Sequence, residues 1–244
     1  MAHTVGILYP GYSAEDDYPR LQSLLGGGVR LPVVHTLMRE DAHRIDALLD
    51  LGSSDLLAEG GRAVAEQGAN AVIWACTSGS FVFGWDGARE QVEKLTAATG
   101  LPSSSTSFAF VHAARRLGLR RVAVAATYPA DVAERFGAFL AAAGIEVVAS
   151  SSRGIVTAAE VGQVTREQVL DFAAVNAVER AEGLLMPDTA LHSVDWLDEL
   201  EARVGQPVLT ANQVSAWEGL RLTGDTAAYD GAGTVFRYPA AGVE

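Results

Sequence analysis

The sequence predicts an α/β protein made of two similar lobes, each a short parallel sheet flanked by helices, with a cleft between them. Short apolar runs alternate with longer stretches of helical period, the pattern of parallel βα units. The chain also repeats itself. Gly6-Ile-Leu-Tyr9-Pro10 has a counterpart in Ala125-Ala-Thr-Tyr128-Pro129. Val72-Ile-Trp-Ala-Cys76-Thr-Ser matches Leu184-Leu-Met-Pro-Asp188-Thr-Ala, and Gly100-Leu-Pro102 matches Gly205-Gln-Pro207. The interval from Pro102 to Leu117 equals that from Pro207 to Leu222, and inside it Thr106-Ser107 lies opposite Ala211-Asn212. Three matches in one order indicate a duplication. The first lobe is taken as 1–118 plus 225–244 and the second as 119–224. Cys76 should superpose on Asp188, and Tyr9 on Tyr128.

The elements follow from the pattern. Val5–Tyr9 reads as a first strand stopped by Pro10-Gly11, while Asp16 and Asp17 read as a solvated loop and Gly26–Gly28 as a turn. Ser53 caps a helix whose apolar face holds Leu56, Leu57, Ala63 and Val64. Ala71–Ala75 is a second strand, Asp86–Thr99 a helix, and a further helix ends at Leu117-Gly118. Arg121–Ala126 starts the second series. Pro129–Ala143 is helical, Ile145–Ala149 a strand, and Thr165 opens another helix. Gly183–Met186 is a strand, Ser193 caps a helix, and Pro207–Thr210 is the last strand.

Composition narrows the function. The 244 residues are 49% apolar and carry a formal net charge of −12. A surface that acidic repels phosphate backbones, so nucleic acid is an unsuitable partner. A single cysteine excludes an internal disulfide and multi-cysteine metal sites. The five histidines show no metal-ligand spacing, and no glycine-rich phosphate loop opens a helix. Neither a metal nor any other cofactor is expected. No run approaches the roughly 18 apolar residues of a membrane span, and the start lacks the basic segment of a signal peptide. These features lead us to expect a cytoplasmic protein that acts on a small molecule, with homo-oligomerisation left open.

Two residues stand where parallel sheets bind ligands, beyond the carboxyl ends of strands. Cys76 ends an apolar run and is followed by Thr77, Ser78, Gly79 and Ser80. It reads either as a buried core cysteine or as a reactive thiol. Backbone N–H groups at a strand end would hold the reactive thiol below the free value of about 8.5. Asp188 occupies the matching place. It reads as a helix N-cap, as a proton-transferring acid, or as both. His192, four residues on, serves as a supporting histidine or a surface one. Tyr9 and Tyr128 either pack or offer hydroxyls to a carboxylate.

The doubled βα plan, the strand-end thiol with Thr77-Ser78 after it, and Tyr128-Pro-Ala-Asp-Val-Ala-Glu-Arg-Phe136 resemble the aspartate/glutamate racemase superfamily. Within it the likeness is to the maleate isomerase and arylmalonate decarboxylase branch, over essentially the whole chain. The resemblance implies a cofactor-free active site between two lobes. It also implies a carboxylate cradle, carried onto Thr77, Ser78 and Tyr128, with backbone N–H groups around Thr189 and Ala190. Tyr9 and Asn212 complete the expected substrate-binding set. Racemases and maleate isomerases of this kind use two cysteines, one per lobe, whereas arylmalonate decarboxylases keep only that of the second lobe. This chain has Cys76 in the first and Asp188 in the second, so Cys76 and Asp188 are the catalytic candidates.

The leading expectation is a cysteine-dependent isomerase of a small carboxylic acid, similar to maleate isomerase, with Asp188 as the opposing acid. An arylmalonate-type decarboxylase is the alternative, and a thiol hydrolase with His192 as base is a further one. A two-lobed binding protein without chemistry is disfavoured by the thiol.

Overall fold

The computed structural model describes residues 3–238. Its first half runs β1 (His3–Pro10), α1 (Asp17–Leu25), β2 (Val29–Arg30), β3 (Val33–Thr36), α2 (Ile45–Leu51) and α3 (Ser54–Glu66). It continues with β4 (Ala71–Trp74), α4 (Ser78–Phe81), α5 (Gly84–Thr99), β5 (Ser103–Ser105) and α6 (Thr106–Arg116). The second half opens with β6 (Arg121–Ala126), α7 (Ala130–Ala142), β7 (Glu146–Ser152), α8 (Ala158–Val161) and α9 (Arg166–Asn176). It ends with β8 (Gly183–Met186), α10 (Leu197–Val204), β9 (Val208–Thr210) and α11 (Ala211–Leu222).

Every strand pairing is parallel. The first sheet has the order β2-β1-β4-β5, with β3 also on β1, and the second β7-β6-β8-β9. The second sheet shows why the apolar runs were readable. Val122, Val124, Leu185 and Leu209 join one buried cluster, while Ala123, Ala125, Leu184 and Met186 join another on the opposite face. A strand buried on both faces needs apolar residues at every step. The first of those clusters also contains Ile7, Trp74, Phe110 and Phe136, so a single core runs between the two sheets. Among the described residues no helix is long and apolar enough to cross a membrane.

The sheets repeat in register. Leu8 lies beside Trp74 and Trp74 beside Ser105; Val124 lies beside Leu185 and Met186 beside Thr210. Matching Trp74 to Met186 therefore matches Cys76 to Asp188 and Ser107 to Asn212. The tyrosine pair does not follow. The ladders set Val5 against Ala71 and Val122 against Gly183, which puts Tyr9 on Ala126 and Tyr128 on Gly11. Tyr9 lies inside β1, whereas β6 has already ended before Tyr128.

Of the segments that differ from the sequence reading, three shape the surroundings of the strand ends. Asp17 does not lie in a solvated loop; it starts α1 and is fully buried. Tyr18, Leu21 and Leu25 form the inward stripe of that helix. Ser103–Ser105 is a strand without apolar residues, because its hydroxyls find internal partners such as Ser80 Oγ at 2.9 Å from Ser105 Oγ. Helix α11, assigned by sequence to the second lobe, packs on β1, β4 and β5 of the first sheet. A Cβ at Gly219 would stand 2.1 Å from Val5 Cγ1, so glycine permits this close approach.

Candidate active site

Beyond β4 the chain turns at Ala75-Cys76 and enters α4. Cys76 is 4% exposed, and its Sγ accepts the Gly79 N–H at 3.3 Å with Ser78 Oγ 3.8 Å away. Burial pushes the thiol up to about 11; the Gly79 N–H and Ser78 pull it down, and the charge of Asp188 pushes it further up. The expected low-pKa thiol is thus overturned. One N–H donor does not offset removal from water.

The loop after β8 carries the counterpart. Asp188 is also 4% exposed. Its Oδ1 accepts the Ala190 N–H at 2.9 Å and its Oδ2 the Thr127 hydroxyl. It caps a turn closed by Leu191 N–H to Asp188 O at 3.2 Å, not a helix. Helical structure resumes only at Val194.

The other candidates divide into two groups. Tyr128 gives its hydroxyl proton to Pro187 O. Burial and then the charges of Asp188 and Cys76 hold the phenol well above its usual range, against the opposing Thr77 and Ser78 hydroxyls. Thr77 Oγ1 is buried close to that phenol but makes no hydrogen bond of regular geometry among the described residues, and neither Thr77 nor Tyr128 lines the cavity. Tyr9 donates to Thr189 O at 2.9 Å, bonds Ser13 Oγ at 2.7 Å and accepts the Ala14 N–H. Asn212 Nδ2 reaches Thr189 O at 3.0 Å and Asp17 Oδ2 at 3.1 Å, and its Oδ1 accepts the Tyr18 hydroxyl. Asn212 therefore holds the Thr189 loop in place and does not line the cavity. Nor does His192, whose Nε2 is 2.8 Å from Asp16 Oδ1.

The cavity itself is bordered by Cys76, Ser78, Asp188, Thr189 and Ala190, with Tyr9 and Ser13 at one side. Its volume is about 30 Å³, room for roughly two waters. A roof that the sequence reading missed closes it: Met38, Glu40, Asp41, Ala42 and His43, in the connection between β3 and α2. Asp41 accepts the Ala158 and Ala159 N–H groups at 2.7 and 3.0 Å. His43 bonds Ile155 O through Nδ1 at 3.0 Å and sets its ring edge-on to Tyr128, 5.0 Å between centroids. The roof is thereby tied to the second half of the chain. Nothing in its sequence period announces this, because the bonds that tie it down, made by Asp41 and His43, are tertiary. A larger open groove on the far side of Met38, lined by Tyr12, His35 and Leu56, holds no thiol or buried acid.

Comparison with known proteins agrees with this architecture. The family profile of arylmalonate decarboxylase matches residues 52–236. The arylmalonate decarboxylase of Bordetella bronchiseptica is 34% identical over 178 residues, covering 72% of this chain and 74% of that protein. The maleate isomerase of Nocardia farcinica is 29% identical over 190 residues, 73% of each. A crystal structure of a liganded arylmalonate decarboxylase double mutant, with cysteine for a glycine and serine for a cysteine, superposes with a TM-score of 0.83. It is 28% identical and covers 96% of this chain and 99% of that one. The chain belongs to the arylmalonate decarboxylase family. It is an enzyme of the isomerase or decarboxylase class.

Proposed function

We propose that the protein is a cysteine-dependent isomerase of a small unsaturated carboxylic acid, working in the manner of a maleate cis–trans isomerase. The observation that carries this reading is that Cys76 and Asp188 border one cavity, each just beyond the carboxyl end of a strand. Both oxygens of Asp188 accept hydrogen bonds in the resting site, so in this reading it begins as a base and becomes the opposing acid, the role expected from the sequence, only after it has taken the thiol proton. As the substrate docks, Cys76 gives its proton to Asp188 and its sulfur bonds to the alkene carbon. The π electrons pass to the substrate carboxylate as an enediolate. The former double bond then rotates as a single bond. The enediolate collapses, the carbon–sulfur bond breaks, and the sulfur recovers its proton from Asp188. No group outside the chain is consumed.

The enediolate is the charge to be stabilised, and hydroxyls aimed at it from a dry site are effective. Ser78, which borders the cavity, is the residue we assign to it, with the unpartnered buried Thr77 Oγ1 next in sequence; Tyr128, expected from the sequence to join them, has its one proton on Pro187 O and does not border the cavity. The family match and the Bordetella relative favour a second reading, decarboxylation of a malonate with Cys76 as proton donor. Asp188 weighs against it, since a carboxylate beside the departing carboxylate raises the energy of binding. Proton NMR in deuterated water tests both. The isomerase gives the trans alkene with no deuterium on carbon, and Cys76→Ser abolishes it. Loss of carbon dioxide from a malonate, with deuterium entering the product, would replace this reading with the second.

A further inference from the structure

The charges around the cavity are one-sided. Among the described residues that line it there is no lysine or arginine. Three carboxylates do line it, from Glu40, Asp41 and Asp188. Two of these are already committed. Glu40 lies 3.0 Å from the Arg44 guanidinium on the exposed side, and Asp41 holds the Ala158 and Ala159 N–H groups. Asp188 is different, because it is buried and, among the described residues, no cation pairs with it.

A carboxylate offers about four lone-pair positions. Thr127 and Ala190 fill two of those on Asp188. The carboxylate borders the cavity, and among the described residues no other side-chain hydrogen bond to it is made. The neighbouring carbonyls are acceptors too, and already engaged: Pro187 O by Tyr128, Thr189 O by Tyr9 and Asn212. His43 bonds a carbonyl through Nδ1, which leaves Nε2 an acceptor in the neutral ring. The side chains at this end of the cavity present acceptors, because the hydroxyls of Tyr9 and Thr127 are spent on Thr189 O and Asp188, and Ser13 bonds Tyr9. The thiol end carries the Ser78 hydroxyl.

From this asymmetry we infer that the substrate is a monocarboxylate whose other end is a hydrogen-bond donor, such as a primary amide, and not a second carboxylate. The carboxylate lies toward Ser78, and the donor fills the vacant positions of Asp188. A diacid in the same pose would set two carboxylates together in a dry cavity with no cation to relieve them, a juxtaposition that is strongly unfavourable. The inference rests on the proposed reading of this site and adds the chemical class of its substrate.

The test uses matched acids at pH 8. Titration calorimetry of the whole protein compares succinamate with succinate, which are saturated and do not react. The expected result is that the monoamide binds on the order of 100-fold more tightly. In Asp188→Asn the amide nitrogen can donate to a ligand carboxylate, so the preference should shrink at least tenfold. Diacid binding equal to or tighter than monoamide binding overturns the inference, as does absence of monoamide binding at millimolar concentration. An unchanged preference in Asp188→Asn overturns the part assigned to Asp188. NMR of maleamate beside maleate separates this claim from the reaction. Preferential binding of maleamate without conversion to its trans isomer keeps the substrate class and removes the isomerase reading.

Discussion

The ends of β4 and β8 occupy the same step of the repeated sheets, yet they are built in opposite ways. At Cys76 the chain passes straight into α4, and a run of small residues brings a backbone N–H and hydroxyls around sulfur. At Asp188 it makes a turn, and the carboxylate is held by its own loop and by Thr127 from the neighbouring strand end. The first end supplies a neutral nucleophile and hydroxyl groups, and the second a charge and acceptors. Duplication kept the positions and register while the chemistry diverged. Two like thiols can exchange roles; a thiol and a carboxylate cannot, so the site has a direction.

The strongest way to break that comparison is at sulfur. Cys76→Ser should lower turnover by roughly 10⁴-fold or more, as expected when a covalent nucleophile is lost, with the far-ultraviolet circular dichroism unchanged. Retained turnover would return Cys76 to the core. Asp188→Asn should lower turnover less, by about 10²- to 10⁴-fold, the usual share of an acid–base group. If it instead keeps full turnover and only lowers the melting temperature, Asp188 is a turn cap and the two ends are not partners.

The thiol titration sharpens the electrostatic side. Alkylation of Cys76 followed against pH should have its midpoint near 11, well above an ordinary thiol. Asp188→Asn should move that midpoint down, because the carboxylate charge opposes thiolate. An upward shift would mean that Asp188 does not act on the sulfur.

The smallest effect lies behind the Asp188 loop. Asp17 is fully buried and accepts the Ser193 N–H and Asn212 Nδ2 on one oxygen. Burial raises its carboxyl from 3.8 to about 6, with Asn212 and Ser193 pulling the other way. A folded pKa above the unfolded one favours the fold at low pH, and that contribution is lost as pH rises through 6. Asp17→Asn keeps an oxygen for both donors and removes the charge. It should therefore gain stability over the parent between pH 4 and pH 7, by up to about 3 kcal/mol, measured by urea denaturation. A difference that does not change with pH would show that Asp17 is not a buried charge.

Much of the scaffold was legible because buried parallel strands are continuous apolar runs. Arg121–Ala126 and Gly183–Met186 are read with their observed limits. Cys76 and Asp188 could be picked out because each follows such a run. Ser103–Ser105 was not, since its partners are side chains distant in sequence. The tyrosine match failed because a shared Tyr-Pro pair says nothing about where a strand ends. The roof from Met38 to His43 was invisible for a deeper reason. Its function depends on Ala158, Ile155 and Tyr128 arriving from the other half, and no local pattern encodes an arrival.

The placement of α11 has a consequence for how the chain is made. β1 is complete at Pro10, but the helix that covers its face starts at Ala211. Domains tend to fold as they leave the ribosome, N-terminal part first. The side of Val5 that meets Gly219 therefore stays bare until Ala211 and the residues after it have been synthesised. A nascent chain stalled before Ala211 would expose apolar surface from the half it has already finished. The two repeats, although each looks like a unit, share one core and complete it together.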